Sequence, residues 1–186
     1  FGIRRVDVAT YQSISGAGSQ ALKDFEASLA GEKGAEGAES VLNVVPMIDR
    51  MLDTGMTKEE MKMHWEPRKI WSSQSLTVHA TCVRVPVKTS HSESINIEFK
   101  NDYDLEDVKK ILNKAPGCKV IDEQKDGGYI TPVEAEGDYL TFISRIRRDR
   151  SNDKAINIWV VSDNLLKGAA LNTVQIAECL LNKSKK

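Results

Sequence analysis

The sequence predicts an α+β fold in which a mixed, largely antiparallel sheet carries helices on one face. The first observation is a pair of stretches rich in β-branched residues, 76–87 and 92–99, whose alternation has the period of a strand. The second is a helix-start signal at 57–60, a threonine followed three residues later by a glutamate. The third is an amphipathic segment, 104–113, with an acidic start and a basic end.

Length and composition are those of one ordinary globular domain, which we place at 1–186. The 186 residues are 40% apolar and 28% charged, which is enough for a substantial core. The net charge of −1 argues against nucleic-acid and membrane-surface partners. No apolar run reaches the ~18 residues of a membrane-spanning helix, and the first residues are not a signal peptide.

Cysteine usage and the first residue bear on where the chain belongs. Cys82, Cys118 and Cys179 are odd in number and widely spaced. They indicate a reducing compartment, which we take to be the cytoplasm, rather than a disulfide framework. The chain begins with Phe1, and its first residues already have the pattern of a strand. We therefore expect residue 1 to be a fragment boundary rather than a natural start.

The chain opens with a strand over 3–10, a small turn, and a helix over about 15–29, where apolar residues recur at helical spacing. A strand that leads through a Gly/Ser turn into a helix leaves backbone N–H groups free, which makes a candidate anion or phosphate site. The turn lacks the full Gly-rich dinucleotide fingerprint, so a simple tight turn is the alternative. Residues 30–40 are small, charged and Gly-rich, which predicts a flexible surface loop.

Residues 42–52 are apolar with Pro46 in the middle, which predicts an irregular segment with a short helical turn. Its apolar stripe, expected in the core or an interface, is Met47, Ile48, Met51 and Leu52. The helix that Thr57 begins is expected to run to about residue 71. Glu59 and Lys62 lie on one face of its first turns, where by themselves they would be a stabilising surface pair.

The central strand 76–87 places a charged group at the end of an apolar row, because side chains alternate across a strand. One face carries, in order, Val78, Ala80, Cys82 and Arg84. His91 lies just beyond, in the connection 88–91. Arginine binds a carboxylate with two parallel hydrogen bonds, and histidine can move a proton near neutral pH. The pair suits a site for an acidic substrate; the alternative is a solvated arginine and an exposed histidine.

The second half of the chain is predicted to consist of short helices and strands, of which the helix 104–113 is the first. We expect strands at 118–121, 140–147 and 155–161, a turn-rich loop at 125–132, and a last helix from Ser162-Asp163 to about 181. The stripe expected to be buried on that helix is Leu165, Leu166, Ala169, Ala170, Val174, Ala177 and Leu181. The basic run 145–150 has flanking acids and no interleaved aromatics, which favours a solvated strand end or a subunit contact over a polyanion site.

Blocks spread from residue 10 to residue 178 closely resemble aspartate-semialdehyde dehydrogenase, in family order. They are TYQ with its Ser-Gly turn, EEMK, CVRVPV with HSESINIEF, DNLLKGAA and NTVQIAE. Two local departures stand out. Ser90 replaces the glycine that the family usually has before the histidine, and Pro67 replaces a threonine, so we assign no role to Arg68.

The resemblance implies a reaction and a set of roles. The reaction is the reductive dephosphorylation of L-aspartyl-4-phosphate to aspartate semialdehyde with NADPH, in lysine, threonine and methionine biosynthesis. His91 would be the general acid/base, and Arg84 would bind the substrate's α-carboxylate. The remaining implied contacts are Gln12 and Glu59 with the substrate, Lys62 with phosphate, and Ser15, Gly16 and Asn164 with the cofactor.

The resemblance also implies that a partner domain lies upstream. The family keeps its nucleophilic cysteine and Gly-rich phosphate loop in an N-terminal half, and no cysteine here is expected to be the nucleophile. The chain would then be the C-terminal catalytic and dimerisation domain, inactive alone, with a fold like the catalytic half of glyceraldehyde-phosphate-type dehydrogenases. We expect a homodimer through the open sheet face, NADP bound mainly by the other half, a terminal helix at about 163–182 that returns to that half, and no metal.

Two other functions remain open on the sequence alone. One is a non-enzymatic dimerisation or binding module derived from this family. The other is the related N-acetylglutamyl-phosphate reductase. A reading frame that extends upstream with a cysteine and a Gly-rich loop would favour the enzyme, whereas a start codon close to Phe1 would favour the module.

Overall fold

A six-stranded sheet organises the part of the chain that the structure, a computed structural model, describes: residues 1–32 and 42–183. The strands are Ile3–Gln12 (β1), Thr77–Arg84 (β2), His91–Phe99 (β3), Cys118–Val120 (β4), Thr141–Arg148 (β5) and Ala155–Ser162 (β6). They lie in the order β2-β1-β3-β6-β5-β4. The outer pairs β1–β2 and β4–β5 are parallel, and the three central pairs are antiparallel. The predicted mixed, largely antiparallel sheet is confirmed.

The helices lie between the strands and after the last strand. They are Ser19–Leu29 (α1), Lys58–Ile70 (α2), Leu105–Lys114 (α3), Pro132–Ala135 (α4) and Leu171–Lys183 (α5), with a 3-10 turn at Ile14–Ala17 and a π-helical turn at Leu166–Ala170. No helix in the described ranges has the length and apolar character needed to cross a membrane.

One face of the sheet is apolar and carries α2 and α3. Strand register places Val8 beside Ala80 on one side and Ile95 on the other, so these side chains share that face. Met63 of α2 packs on the cluster around Val8, and Val108 of α3 belongs to a second cluster over β5 and β6. The expected position of the main helices on one face is confirmed.

The opposite face is more polar, and the described residues cover only one corner of it. Its central residues, by register, are Ala9, Ser94 and Trp159. The short helix α4 and the loop before it pack here on Phe142 and Val161. The described part of a single chain therefore leaves most of this second face open.

Two local expectations are corrected. The helix expected over 15–29 is interrupted at Gly18, whose φ of 101° separates the 3-10 turn from α1. Residues 42–52 form no helical turn; instead Val45 pairs antiparallel with Arg84. The outer side of the edge strand β2 has backbone groups that need partners, and Val45 supplies them for Arg84. In the stripe of this segment Ile48 is buried, whereas Met47 and Met51 are exposed.

The terminal stripe is also corrected, because its apolar residues are exposed in this chain. Leu165, Val174 and Leu181 are 48%, 54% and 63% exposed. The helical period revealed an apolar stripe, but it could not show whether other parts of this chain would cover that stripe. The predicted loop over 30–40 falls, from residue 33 onward, outside the described residues.

Candidate active site

The residues singled out by sequence gather at one end of the sheet, where β1 and β2 end and β3 begins. Gln12 and Arg84 are paired across β1 and β2. His91 is the first residue of β3 rather than part of the preceding connection, and it pairs with Ser162. The turn after β1 is held to the connection after β2 because Ile14 N–H donates to the Val87 carbonyl at 2.8 Å. This contact closes the site between the two loops.

β1 lies between the two strands that carry Arg84 and His91. The arginine and the histidine therefore approach each other across the end of β1, over the turn that follows it, and not as neighbours in a hairpin.

Arg84 is half-buried and anchored by its backbone and its side chain. Its N–H donates to the Val45 carbonyl at 2.8 Å, and its carbonyl accepts from Val45 N–H at 2.9 Å. Its Nη1 donates to the Ser13 carbonyl at 2.6 Å. Desolvation lowers the pKa of Arg84, an effect that nearby Glu59 opposes, and guanidinium stays charged in proteins. An anchored cation with remaining donors suits a carboxylate ligand.

His91 is held through one ring nitrogen. Its Nδ1 accepts from the Ser13 backbone N–H at 3.1 Å and lies 3.1 Å from the Ser13 hydroxyl. Burial, and secondarily the charge of Arg84, lower the pKa of His91 to about 4. The imidazole is therefore neutral at pH 7, with Nε2 left to face the site.

Gly16 lies at the point where the imidazole and the guanidinium come together. A Cβ at this position would lie 3.2 Å from Nε2 of His91 and 3.3 Å from Nη1 of Arg84. The φ of Gly16 is not in the left-handed region, so space rather than backbone conformation favours glycine here. The missing side chain leaves room beside both groups for a small ligand.

A second charged group lines the site from the first turn of α2. Glu59 accepts from Gln12 Nε2 at 3.4 Å through one oxygen and from Lys62 Nζ at 2.8 Å through the other. The hydrogen bond to Glu59 raises the pKa of Lys62. The surface pair expected from spacing is thus present, but Gln12 connects it to the strand end that carries Arg84.

The predicted capping box sets the position of that first turn. Thr57 accepts from Glu60 N–H, and the Glu60 carboxylate accepts from Thr57 N–H at 2.8 Å. The same carboxylate accepts from Cys82 N–H at 3.2 Å, on the outer edge of β2. Glu60 therefore links the start of α2 to the strand that ends in Arg84, a link that the capping pattern alone did not indicate.

Ser15 and Asn164 lie beside the histidine. Asn164 Oδ1 accepts from the Ser13 hydroxyl at 3.1 Å, from the Ser15 hydroxyl at 3.2 Å and from Ser90 N–H at 3.0 Å. Asn164 Nδ2 is 3.0 Å from the Ser15 hydroxyl. The amide carries a second Nδ2 hydrogen, and Gly16 beside it is exposed. One amide donor and an open glycine fit the carboxamide end of a nicotinamide cofactor.

Two residues of the site escaped the sequence reasoning. Ser13 is fully buried and touches Arg84, His91 and Asn164; its place directly after Gln12 in the turn was the available signal. Ser90 is fully buried at φ 72°, and its hydroxyl has no hydrogen-bond partner in the described part of the chain. Glycine costs least at a left-handed φ, which accounts for the glycine usual in the family at this position but not for the serine of this chain.

Comparison with known proteins identifies the family to which these site residues were matched by sequence. The family described as semialdehyde dehydrogenase, dimerisation domain, matches residues 1–167. Aspartate-semialdehyde dehydrogenase of Shewanella violacea is 43% identical across 97% of this chain and 55% of its own length. The chain spans about half the length of the curated relatives it matches.

Solved structures agree with this comparison. The crystal structure of aspartate-semialdehyde dehydrogenase II from Vibrio cholerae, complexed with ASA, is similar at a TM-score of 0.89 and 39% identity, over 97% of this chain and 55% of that one. The Candida albicans enzyme with NADP is similar at a TM-score of 0.71 and 25% identity, over 99% of this chain and 52% of that one.

Proposed function

The chain belongs to the semialdehyde dehydrogenase family, in which it matches the dimerisation domain, and from this we propose that residues 1–186 are the C-terminal catalytic and dimerisation domain of an aspartate-semialdehyde dehydrogenase. The observation that carries the proposal is that Arg84 and His91 both approach the same side of Gly16. Glu59 and Lys62 beside them supply one charge of each sign. The relatives named above favour this function over the reductase and the non-enzymatic module.

Substrate binding follows from the charges that line the site. Aspartyl phosphate and its semialdehyde each carry an α-carboxylate and an α-amino group. The Arg84 guanidinium binds the α-carboxylate of the substrate. The side chain of Glu59 binds the α-amino group, and Gln12 holds the Glu59 carboxylate in place by donating a hydrogen bond to it. Lys62, held by Glu59, offers a cation to the phosphate. This assignment uses each charged group for the ligand group of opposite sign.

His91 exchanges a proton with the reacting oxygen of the substrate. Its Nε2 lies on the same side of Gly16 as the Arg84 guanidinium, so a substrate anchored on Arg84 reaches it. The depressed pKa keeps the ring neutral at physiological pH. General acid/base groups work best when geometry holds them within hydrogen-bond reach of the substrate.

NADP is the cofactor we assign, bound mainly by the other half of the protein. Ser15, Gly16 and Asn164 would hold its nicotinamide end beside His91. The chemistry that it supplies is hydride transfer. The residues of this chain contribute the amide donor of Asn164 and the open surface of Gly16.

The nucleophilic thiol comes from the other half of the protein as well. Cys82 is fully buried, and burial raises its pKa to about 11, so little thiolate forms there at neutral pH. The proposal therefore assigns no nucleophile to this chain, and the isolated chain is expected to form no NADPH from semialdehyde, phosphate and NADP. NADPH formation by the chain alone would contradict the assignment.

The test in the full-length enzyme separates binding from turnover. Arg84→Lys keeps the charge but loses the forked geometry, so KM should rise by about 10-fold or more with a smaller change in kcat. His91→Asn should lower kcat on the order of 100-fold with a smaller change in KM. Matched controls are Arg150→Lys and His79→Asn, both at exposed positions. Small and equal effects at Arg84 and His91 would reject these roles.

A further inference from the structure

Thr10 is a buried residue of β1 to which the proposed reaction assigns no role. It is 3% exposed, and it lies two residues before Gln12 on the same face of the sheet. Its Oγ1 accepts a hydrogen bond from Val83 N–H at 3.3 Å and lies 3.1 Å from Gln12 Oε1. The threonine therefore connects the backbone of β2 to a side chain that is proposed to contact the substrate.

We infer that Thr10 is a positioning residue: its hydroxyl donates to Gln12 Oε1 and fixes the Gln12 amide with Nε2 toward Glu59, so that Gln12 offers the substrate a hydrogen-bond donor. This inference rests on the proposed function for its substrate, and it deepens the role of Gln12 there. The orientation of the amide can be observed without any substrate.

Glu59 determines which end of the amide faces it. One oxygen of Glu59 accepts from Lys62 Nζ at 2.8 Å, and the other lies 3.4 Å from Gln12 Nε2. A carboxylate that is paired with an ammonium group accepts hydrogen bonds and does not donate them. The amide oxygen in the place of Nε2 would put two acceptors against each other, so the nitrogen must lie on this side.

The other end of the amide then meets Thr10. The side-chain oxygen of Gln12 can only accept, so the Thr10 hydroxyl must be the donor in the 3.1 Å contact. A hydroxyl has one hydrogen and two lone pairs, which leaves an acceptor for Val83 N–H. Neither of the two bonds that hold the amide is short, so its orientation depends on Thr10 as well as on Glu59.

Two neighbours of Thr10 in the sheet could compete for its hydroxyl hydrogen. Cys82, paired with Thr10 on β2, is within hydrogen-bond reach of the hydroxyl. Burial raises the pKa of this thiol to about 11, so it keeps its own proton and is only a weak acceptor. Glu93 is paired with Thr10 on β3, but the bonds of the Thr10 hydroxyl within the described ranges do not include it. The Gln12 oxygen is therefore the favoured acceptor.

This orientation gives Gln12 and Glu59 different ligand groups. Nε2 of Gln12 carries a second hydrogen, which is a donor for an oxygen of the substrate. Oε1 is engaged by the buried hydroxyl of Thr10, so Glu59 rather than Gln12 is the acceptor for the α-amino group. Gln12 is the last residue of β1, between the strands that carry Arg84 and His91, which places its donor at the centre of the site.

Neutron diffraction from crystals of the chain in heavy water observes the amide directly. We expect the deuterated nitrogen of Gln12 to face Glu59 and the Thr10 deuteron to point at Gln12 Oε1. A reversed amide, or a Thr10 deuteron that points at Cys82, would overturn the inference. This readout needs neither a variant nor turnover, so it stays separate from failure of the proposed function, which the kinetics of the full-length enzyme report.

A double-mutant cycle in the full-length enzyme tests whether Thr10 acts through Gln12. Thr10→Val removes the hydroxyl and keeps the β-branched shape, so kcat/KM should fall by about 5-fold to 10-fold, as for one lost hydrogen bond. Thr10→Ser keeps the hydroxyl and should stay within about 2-fold of wild type. In Gln12→Leu, which has no amide to orient, adding Thr10→Val should cause no further fall.

The matched control is Thr77→Val, a threonine at an exposed position at the far end of β2 from the site. It should leave kcat/KM unchanged with either residue at position 12. Losses from Thr10→Val and Gln12→Leu that multiply would mean that Thr10 acts on the fold and not on the amide, and they would reject the inference. An unchanged kcat/KM in Thr10→Val would reject it as well.

Discussion

Gly16 lies directly beside the two functional groups of the site, His91 and Arg84. The point where its Cβ would lie is 3.1 Å from Cε1 of His91 and 3.3 Å from Nη1 of Arg84. The φ of Gly16 is not positive, so its backbone does not require glycine. What favours glycine here is the lack of space between residue 16 and the two functional groups, His91 and Arg84. Substitution here therefore probes the site without removing any of its polar atoms.

The first prediction concerns Gly16→Ala in the full-length enzyme. The added methyl should push the imidazole and the guanidinium apart, and kcat/KM should fall by about 10-fold to 100-fold, because small misplacements of reacting groups are costly. Steady-state kinetics give the measurement. Gly168→Ala is the matched control, since its Cβ would meet Asn164 at an ordinary 3.8 Å; equal rates for both variants would contradict the steric account.

The second prediction concerns pH. His91 takes up its proton near 6.5 when unfolded and near 4 when folded, so between these values the unfolded state binds more protons. The free energy of unfolding should therefore fall as pH drops through this window, by up to about 1.4 kcal/mol per pH unit. Urea titrations of wild type and His91→Gln measure the effect.

The His91→Gln comparison is needed because burial raises the pKa of Glu93. Glu93 has the opposite effect on the pH dependence of stability, because its contribution to the free energy of unfolding is lost as pH rises through its folded pKa. Only the difference between wild type and His91→Gln isolates the histidine. Parallel pH profiles for the two proteins would refute the depressed pKa of His91.

At the scale of elements, the start of α2 determines where Glu59 and Lys62 lie. Its cap is unusual in having a third connection, because Glu60 also accepts from the N–H of Cys82. The apolar residues of α2 are sparse, and its second half carries exposed Trp65 and Ile70. Hydrogen bonds therefore matter more than burial for its position, and beyond the first turn Arg68 Nε also donates to the Leu76 carbonyl at 2.7 Å.

The third prediction is that Thr57→Ala lowers the free energy of unfolding by about 1 to 2 kcal/mol, as loss of a buried N-cap does. Thr57 is 2% exposed and accepts from Glu60 N–H. Thermal or urea unfolding gives the measurement. Thr57→Ser keeps the hydroxyl and should stay close to wild type; an equal loss in both variants would show that the methyl group, not the cap, is responsible.

At the scale of the whole molecule, the two faces of the sheet differ in how far they are covered. The helix-covered face holds the apolar core, whereas the other face leaves half-buried Ser94 and Trp159 near its centre. Tyr11 on the same face is 37% exposed and lies against Trp159, with ring centroids 5.4 Å apart. A broad face with aromatic residues at its centre suits a second copy of the chain.

The fourth prediction is that the chain forms a homodimer through this face and that Ser94→Lys converts it to a monomer. A lysine at the centre of the interface would have to be desolvated without a partner. Sedimentation equilibrium measures the mass. The control is Gln20→Lys, at an exposed position of α1, which should leave the mass unchanged. If the Ser94→Lys protein were still a dimer, the interface could not be centred on this face.

Part of the fold and of the candidate site could be predicted from the sequence. The alternation in β2 and β3, the capping box of α2 and the acidic cap of α3 are signals within a few residues of each other, and each produced an element close to its expected bounds. The kinds of side chain in the site followed from the sequence as well, although Arg84 was expected inside a strand and His91 in the connection, whereas the structure places them at the end of β2 and the start of β3.

The contributions of Ser13 and Gly16 could not be predicted in the same way. Ser13 acts through its backbone as much as through its side chain, and no residue-type pattern marks a backbone donor. Gly16 is close to His91 only because β1 and the turn after it bring residues 16 and 91 together. Such proximity depends on pairing between distant segments.

The sequence by itself determined which stretches are strands and helices and which chemical groups they carry, because period, capping and residue type are local properties of the chain. The tertiary structure decided the insertion of β1 between β2 and β3, the break at Gly18 and the exposure of the α5 stripe. It also decided which nitrogen of His91 meets the Ser13 N–H. These features depend on long-range strand pairing and burial, where the backbone hydrogen bonds and packing of remote segments are satisfied together.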